Sequence, residues 1–204
     1  MSVPPRLRGL YAITPEAGDS AELFAKAAAA LEGGAAMLQY RRKLAPRETR
    51  RLEAIELAKL SRQRGVPFIV NDDVDLALEV AADGAHLGRD DGPVEPARAR
   101  LKGRILGVSC YADAARGKSA AAAGADYIAF GSVFASPTKP AAVRAPLDLF
   151  AVELGVPLCA IGGITLDNAP RLVAAGADLL AVVSDLFDAP DIAARARQYA
   201  KLFT

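Results

Sequence analysis

In AAAGADYIAFG, residues 121–131, an alanine-rich helical tail runs into a glycine, a small residue and then a short apolar run. Glycine accepts the left-handed backbone that stops a helix. The connection that follows is as short as the helix-to-strand loops of α/β units. The same phrase recurs as EGGAAMLQY (32–40), AADGAHLG (81–88) and VAAGADLLAVVS (173–184). Each copy reads as a helix that ends on glycine and turns straight into a buried strand.

The intervals between the copies fill in the same way. Strands are expected near 8–13, 36–41, 67–70, 84–87, 104–108, 126–130, 157–161 and 178–183. Helices are expected near 20–32, 46–64, 73–81, 93–101, 112–123, 146–154, 167–175 and 189–202. Eight βα units therefore follow one another in strict alternation. The central strands show little alternation of polarity, as in a parallel sheet covered by helices. Eight units fit a closed barrel, at the small end of its range of roughly 200–400 residues. A doubly wound open sheet would carry a glycine fingerprint after its first strand, and LYAITPEAGD lacks G-x-G-x-x-G. With no Ser/Gly linker or shift in composition, residues 1–204 read as one catalytic domain. The expected fold class is α/β, a single-domain (β/α)8 TIM barrel with eight parallel strands.

Composition narrows the function. The chain is 52% hydrophobic, with 25 basic against 24 acidic side chains. Near-neutral charge argues against nucleic acid, which needs a basic face. Two cysteines, Cys110 and Cys159, are too few and too far apart for a disulfide framework or a zinc ribbon. The start, MSVPPRLRGLYAIT, has no apolar signal core, and no run approaches the roughly 18–20 apolar residues of a membrane span. A reduced, cytoplasmic setting and small-molecule partners are expected, with no membrane partner; a homodimer is left open.

In a barrel, chemistry gathers on the loops after the strands. Those exits carry Gln39-Tyr40-Arg41-Arg42-Lys43, Asn71-Asp72-Asp73, Gly88-Arg89-Asp90-Asp91, Ser109, the segment 131–139, Gly162-Gly163 and Ser184. The opposite loops are mostly short Gly-Ala or Gly-Val-Pro turns, so one rim is functional. PFIVNDD (67–73) fits this view, because burying an unpaired carboxylate costs several kcal/mol and its polar end must leave the core. Asp72 and Asp91 leave adjacent strands and can face each other. Mg²⁺ suits such oxygens, since it takes one or two carboxylates and completes its shell with water and phosphate. The other reading is that Asp72 or Asp73 caps helix 73–81. Arg41, Lys43 and Lys139 can grip phosphate, or Arg41 to Lys43 can be solvated loop charge. Gly162-Gly163 with Ser184 sits where barrels often bind phosphate, although glycine is also what a tight turn needs. The rim as a whole fits a diphosphate–Mg²⁺ substrate beside a singly phosphorylated one.

These motifs together resemble the thiamine phosphate synthase family, which joins the pyrimidine and thiazole halves of thiamine. QYRRK resembles its Q-x-R-x-K. NDDVDLAL, DGAHLGRDD, GVS, GADYIAFGSVF, SPTK, AIGGIT and AVVSDLF follow in order, across nearly the whole chain. The resemblance implies that Gln39, Tyr40, Arg41, Arg42, Lys43, Asn71, Ser109 and Lys139 hold an aminopyrimidine diphosphate. Asp72 and Asp91 would bind Mg²⁺. Ser136, Pro137, Thr138, Gly163, Val183 and Ser184 would hold a thiazole phosphate, or its carboxylate. Arg41, Lys43, Ser109 and Lys139 would serve catalysis, in a dissociative displacement of pyrophosphate that needs no strong base.

Four positions depart from the family pattern: Arg42 for a common acid, Ser136 for Thr, Ser132 for Pro and Tyr111 for His. Arg42 would add positive charge near the diphosphate. His86 reads as a packed or hydrogen-bonded structural residue, the cysteines as small core residues, and Phe130 and Phe134 as packing. Two rivals remain: a thiazole tautomerase on the same barrel, and a non-catalytic phosphate-binding barrel with little use for Asp72 and Asp91.

Overall fold

Strand parity organises the molecule. The computed structural model describes residues 7–16, 18–135 and 144–204. Eight strands close in chain order into one parallel barrel, as expected. They are β1 (Gly9–Ile13), β2 (Met37–Tyr40), β3 (Phe68–Asn71), β4 (Gly84–Leu87), β5 (Ile105–Tyr111), β6 (Tyr127–Gly131), β7 (Leu158–Ile161) and β8 (Leu179–Val182). Because side chains alternate across a strand, each strand feeds two cores. Tyr11, Ile13, Met37, Ile69, Tyr127, Ala129, Cys159, Leu179 and Ala181 fill the barrel interior. Their neighbours Leu10, Ala12, Leu38, Phe68, Val70, Ile128, Phe130, Leu158, Ala160, Leu180 and Val182 face outward and join the helices in a larger core. This double burial explains why the strands read as unbroken apolar runs.

The helices are α1 (Ser20–Glu32), α2 (Arg47–Gln63), α3 (Val74–Glu79), α4 (Val94–Arg100), α5 (Ala114–Ala122), α6 (Ala169–Ala174), α7 (Ser184–Phe187) and α8 (Ile192–Ala200). Aspartate starts half of them: Asp19, Asp73, Asp113 and Asp191 each accept a backbone N–H of the first turn. Such a cap stabilises by about 1 kcal/mol. α2 and α4 instead begin after Pro46 and Pro93, without a side-chain cap.

The recurring phrase contains a device beyond the glycine stop. Its aspartate clamps the strand before it at two points. The Asp83, Asp126 and Asp178 N–H groups donate to the carbonyls of Phe68, Leu106 and Leu158. Their carboxylates accept the N–H groups of those same three residues, at 2.8, 2.7 and 3.1 Å. The clamps join β3 to β4, β5 to β6 and β7 to β8. In the first copy Ala36 stands in that place and keeps only the backbone bond to Leu10.

Three expectations are corrected. In AADGAHLG the left-handed stop belongs to Ala81, at φ 53°, and not to Gly84. Gly84 lies within β4, where a Cβ would come 2.0 Å from the Ile105 carbonyl oxygen. The helix expected at 146–154 is a 3₁₀ turn, Leu147–Ala151. Pro146 precedes its first turn, and Val152, in extended backbone at φ −76° and ψ 125°, ends it. Finally, α7 follows β8 directly; at four residues it is shorter than any periodic window detects.

Candidate active site

The parity that builds the inner core also aims polar side chains at the barrel mouth. Gln39, Asn71, His86 and Ser109 occupy inward positions of β2, β3, β4 and β5, since their strand neighbours belong to the outer core. Five of the interior polar groups are linked across the barrel. Gln39 Nε2 donates to the Tyr11 hydroxyl at 2.6 Å, which lies 2.7 Å from the Tyr127 hydroxyl. Tyr127 is 2.9 Å from His86 Nδ1, and His86 Nε2 is 2.8 Å from Ser109 Oγ. Gly107 makes room for this: a Cβ there would meet the Tyr127 ring at 2.0 Å. Burial pulls His86 down to about 4, against a weaker upward pull from Asp72, so the imidazole is neutral at pH 7. Burial likewise holds Tyr11 and Tyr127 well above the ordinary phenol range.

Next to this line stands a charged group. Asp72 has left-handed backbone, φ 64°, and its N–H extends the ladder to the His86 carbonyl at 2.8 Å. Its carboxylate meets Lys43 Nζ at 2.7 Å and stands beside the Asp91 carboxyl. Asp91 in turn accepts the Gly88 N–H at 2.7 Å. Burial first, then the contact with Asp72, pushes the Asp91 carboxyl upward; Gly88 and Lys43 oppose this. The capping role falls to Asp73, which accepts the Leu76 N–H and pairs with Arg50 at 3.3 Å. Asp72 is thereby left to the rim.

Two carboxylates in contact, one of them driven toward its protonated form, are an acceptor pair short of positive charge. Such a donor set fits a hard divalent cation that brings water and phosphate of its own. Among the described residues no cluster of three or more His, Cys, Asp or Glu could hold a metal alone.

Of the cationic group, Arg41 and Lys43 flank the same side of the mouth. Glu16 accepts the Lys43 N–H at 2.7 Å and lies 3.6 Å from the Arg41 guanidinium. Thr14, buried, accepts the Arg41 N–H at 2.9 Å. The structure turns Tyr40 and Arg42 elsewhere. Tyr40 takes an outward position of β2 and donates to Glu53 at 2.7 Å, while Arg42 pairs with Glu53 at 3.3 Å. Glu53 is 1% exposed, and a buried carboxylate demands such partners. The extra charge expected of Arg42 is thus spent inside the wall.

Across the barrel, Gly163 is left-handed, at φ 63°, and a Cβ there would strike the Ala135 carbonyl oxygen at 2.3 Å. Asn168 braces this turn, donating to the Gly163 carbonyl and accepting the Thr165 N–H, both at 2.9 Å. Val183 packs against the inner core and Ser184 opens α7, exposed. Ser136, Pro137, Thr138 and Lys139 lie outside the described residues.

Sequence reasoning passed over Thr14, Glu16, Tyr11 and Tyr127. Thr14 and Glu16 follow β1, whose exit looked featureless; their position one strand before QYRRK was the available signal. Arg116 was also missed. It binds the carbonyls of Ser109 and Gly88, at 3.1 and 3.4 Å, tying two strand exits together. Tyr111, left-handed at φ 55°, carries the Arg89 guanidinium 4.5 Å above its ring.

The family model described as thiamine monophosphate synthase matches residues 10–186. The chain belongs to the thiamine monophosphate synthase family. Relatives of that family named thiamine-phosphate synthase include one from Aromatoleum aromaticum, 59% identical over 202 residues, covering 97% of each chain. Another, from Azoarcus sp. strain BH72, is 56% identical and covers 97% of this chain and 98% of its own. A solved thiamine phosphate pyrophosphorylase from Pyrococcus furiosus superposes with a TM-score of 0.83 at 33% identity, over 97% of this chain and 96% of that one. A 3-hexulose-6-phosphate synthase, at 17% identity and a TM-score of 0.71, shares the fold alone. Among the described residues no helix is long and apolar enough to cross a membrane.

Proposed function

We propose that this chain condenses an aminopyrimidine methyl diphosphate with a thiazole phosphate, giving thiamine phosphate and pyrophosphate. The observation that carries this reading is the meeting of Lys43, Asp72 and Asp91 at one side of the barrel mouth, in a chain 59% identical to a protein named thiamine-phosphate synthase. In the reaction, the thiazole nitrogen forms a bond to the pyrimidine's methylene carbon as that carbon's bond to the diphosphate oxygen breaks. The electron-rich ring stabilises positive charge at the carbon, so the leaving group can depart early. The protein's task is to receive the charge that develops on the diphosphate.

Arg41 and Lys43 supply cations at that place, with Lys139 as the third. Glu16 and Thr14 fix the backbone from which Arg41 and Lys43 project. Gln39, Asn71 and Ser109 orient the pyrimidine from the inner wall. Gly163, Val183 and Ser184, with Ser136, Pro137 and Thr138, position the thiazole phosphate, which turns a bimolecular encounter into a held geometry. Asp72 and Asp91 would hold Mg²⁺. When bound, Mg²⁺ offsets negative charge on the diphosphate.

The test supplies both halves with Mg²⁺ and follows pyrophosphate together with thiamine phosphate. Equimolar appearance of the two is expected. Binding without turnover, or action on the thiazole alone, overturns the reading.

A further inference from the structure

We infer that Tyr11, Tyr127 and His86 are positioning residues, forming a hydrogen-bond chain of one fixed direction that presents Ser109 to the pyrimidine as a donor and Gln39 as an acceptor. This rests on the function proposed above. The direction follows from counting protons. Gln39 Nε2 can only donate, so the Tyr11 oxygen accepts. Tyr11 is buried and its only other partner among the described residues is Tyr127, so its proton goes there. Tyr127 must then place its own proton on His86 Nδ1. With one ring proton, His86 carries it on Nε2 and donates to Ser109 Oγ.

With Gln39 Nε2 turned toward Tyr11, any other arrangement leaves a phenol proton buried without an acceptor. If Tyr127 donated to Tyr11, the Tyr11 proton would be stranded. If His86 Nδ1 donated to Tyr127 while Tyr11 did so too, the Tyr127 proton would be stranded. Only one ordering satisfies every member. Its two ends are the mouth residues. Ser109, already an acceptor from His86, keeps its hydroxyl proton for a ligand. Gln39, with Nε2 engaged, keeps Oε1. An aminopyrimidine matches both ends, offering amine N–H groups to one and ring nitrogen lone pairs to the other.

His86 is the single histidine of the chain, so ¹⁵N-histidine labelling yields one imidazole to read. At neutral pH the wild-type protein should show a protonated Nε2 and a bare Nδ1; a protonated Nδ1 overturns the inference. Tyr127→Phe cuts the chain without touching a ligand. It should lower kcat/KM for the pyrimidine diphosphate about tenfold or more, with KM for the thiazole phosphate unchanged. Tyr11→Phe, one bond further from Ser109, should give the same split. Wild-type constants in either folded variant overturn the inference, and if neither variant folds, the nitrogen spectrum of the wild type still decides it. A wild-type protein that releases no pyrophosphate would fail the proposed function, while the nitrogen spectrum would still stand or fall alone.

Discussion

Asp72 and Asp73 are neighbours with the same side chain and opposite assignments. Asp73 has extended backbone, φ −114°, which aims its carboxylate back at the first turn of α3. Asp72, at φ 64°, aims away from that helix and meets Lys43 and Asp91. Asp72→Asn keeps a residue tolerant of left-handed backbone and removes the charge. It should lower Mg²⁺-dependent turnover about 10²-fold with an unchanged melting temperature, read by pyrophosphate release and calorimetry. Asp73→Ala should do the reverse, costing about 1 kcal/mol of stability in urea unfolding. Gly107→Ala, whose new Cβ meets the Tyr127 ring, should cost about 1–3 kcal/mol by overpacking. The carboxylates at the rim were legible because polar residues ending an apolar run must leave the core. The division between Asp72 and Asp73 was not, since it turns on one dihedral angle. Nor was the loss of Tyr40 and Arg42 to Glu53, a partner one helix further along the chain.

At the level of elements, strand order and approximate bounds were readable because parallel strands buried on both faces leave a strong apolar trace. What escaped was whatever local composition does not encode. Leu147–Ala151 carries helix-forming residues but makes only a 3₁₀ turn before Val152 returns to extended backbone, and Ala81 does what glycine does in the other copies. The aspartate clamps were hidden differently. Asp83, Asp126 and Asp178 stand out in the repeated phrase, but their partners lie 15 to 20 residues upstream. Asp83→Ala should remove a charge-assisted acceptor from the Phe68 N–H and cost about 1–3 kcal/mol. Denaturant unfolding should register that loss, while turnover of the folded variant stays at the wild-type level.

Across the whole molecule, a neutral histidine inside the barrel makes stability depend on pH. Above 6.5 the imidazole is uncharged whether the chain is folded or not, and it contributes nothing to the slope. Between 6.5 and about 4 the unfolded chain takes up a proton that the folded interior refuses. Stability therefore falls as pH falls, by about 3 kcal/mol across that window. Urea unfolding at steps through it should show the decline, and His86→Gln should flatten it; an equal slope in both proteins would falsify the assignment. The ring is also not uniform around its circumference. Three of its joints carry a carboxylate clamp, and the joint between β1 and β2 has Ala36 in that place. Among the joints built by the repeated phrase, this one lacks the carboxylate's added hold, so it should open more readily than its three clamped counterparts. Native-state amide exchange would then run faster at Ala36 than at Asp83, Asp126 and Asp178, and a chain re-cut between β1 and β2 would keep more of its cooperativity than one re-cut at any clamped joint.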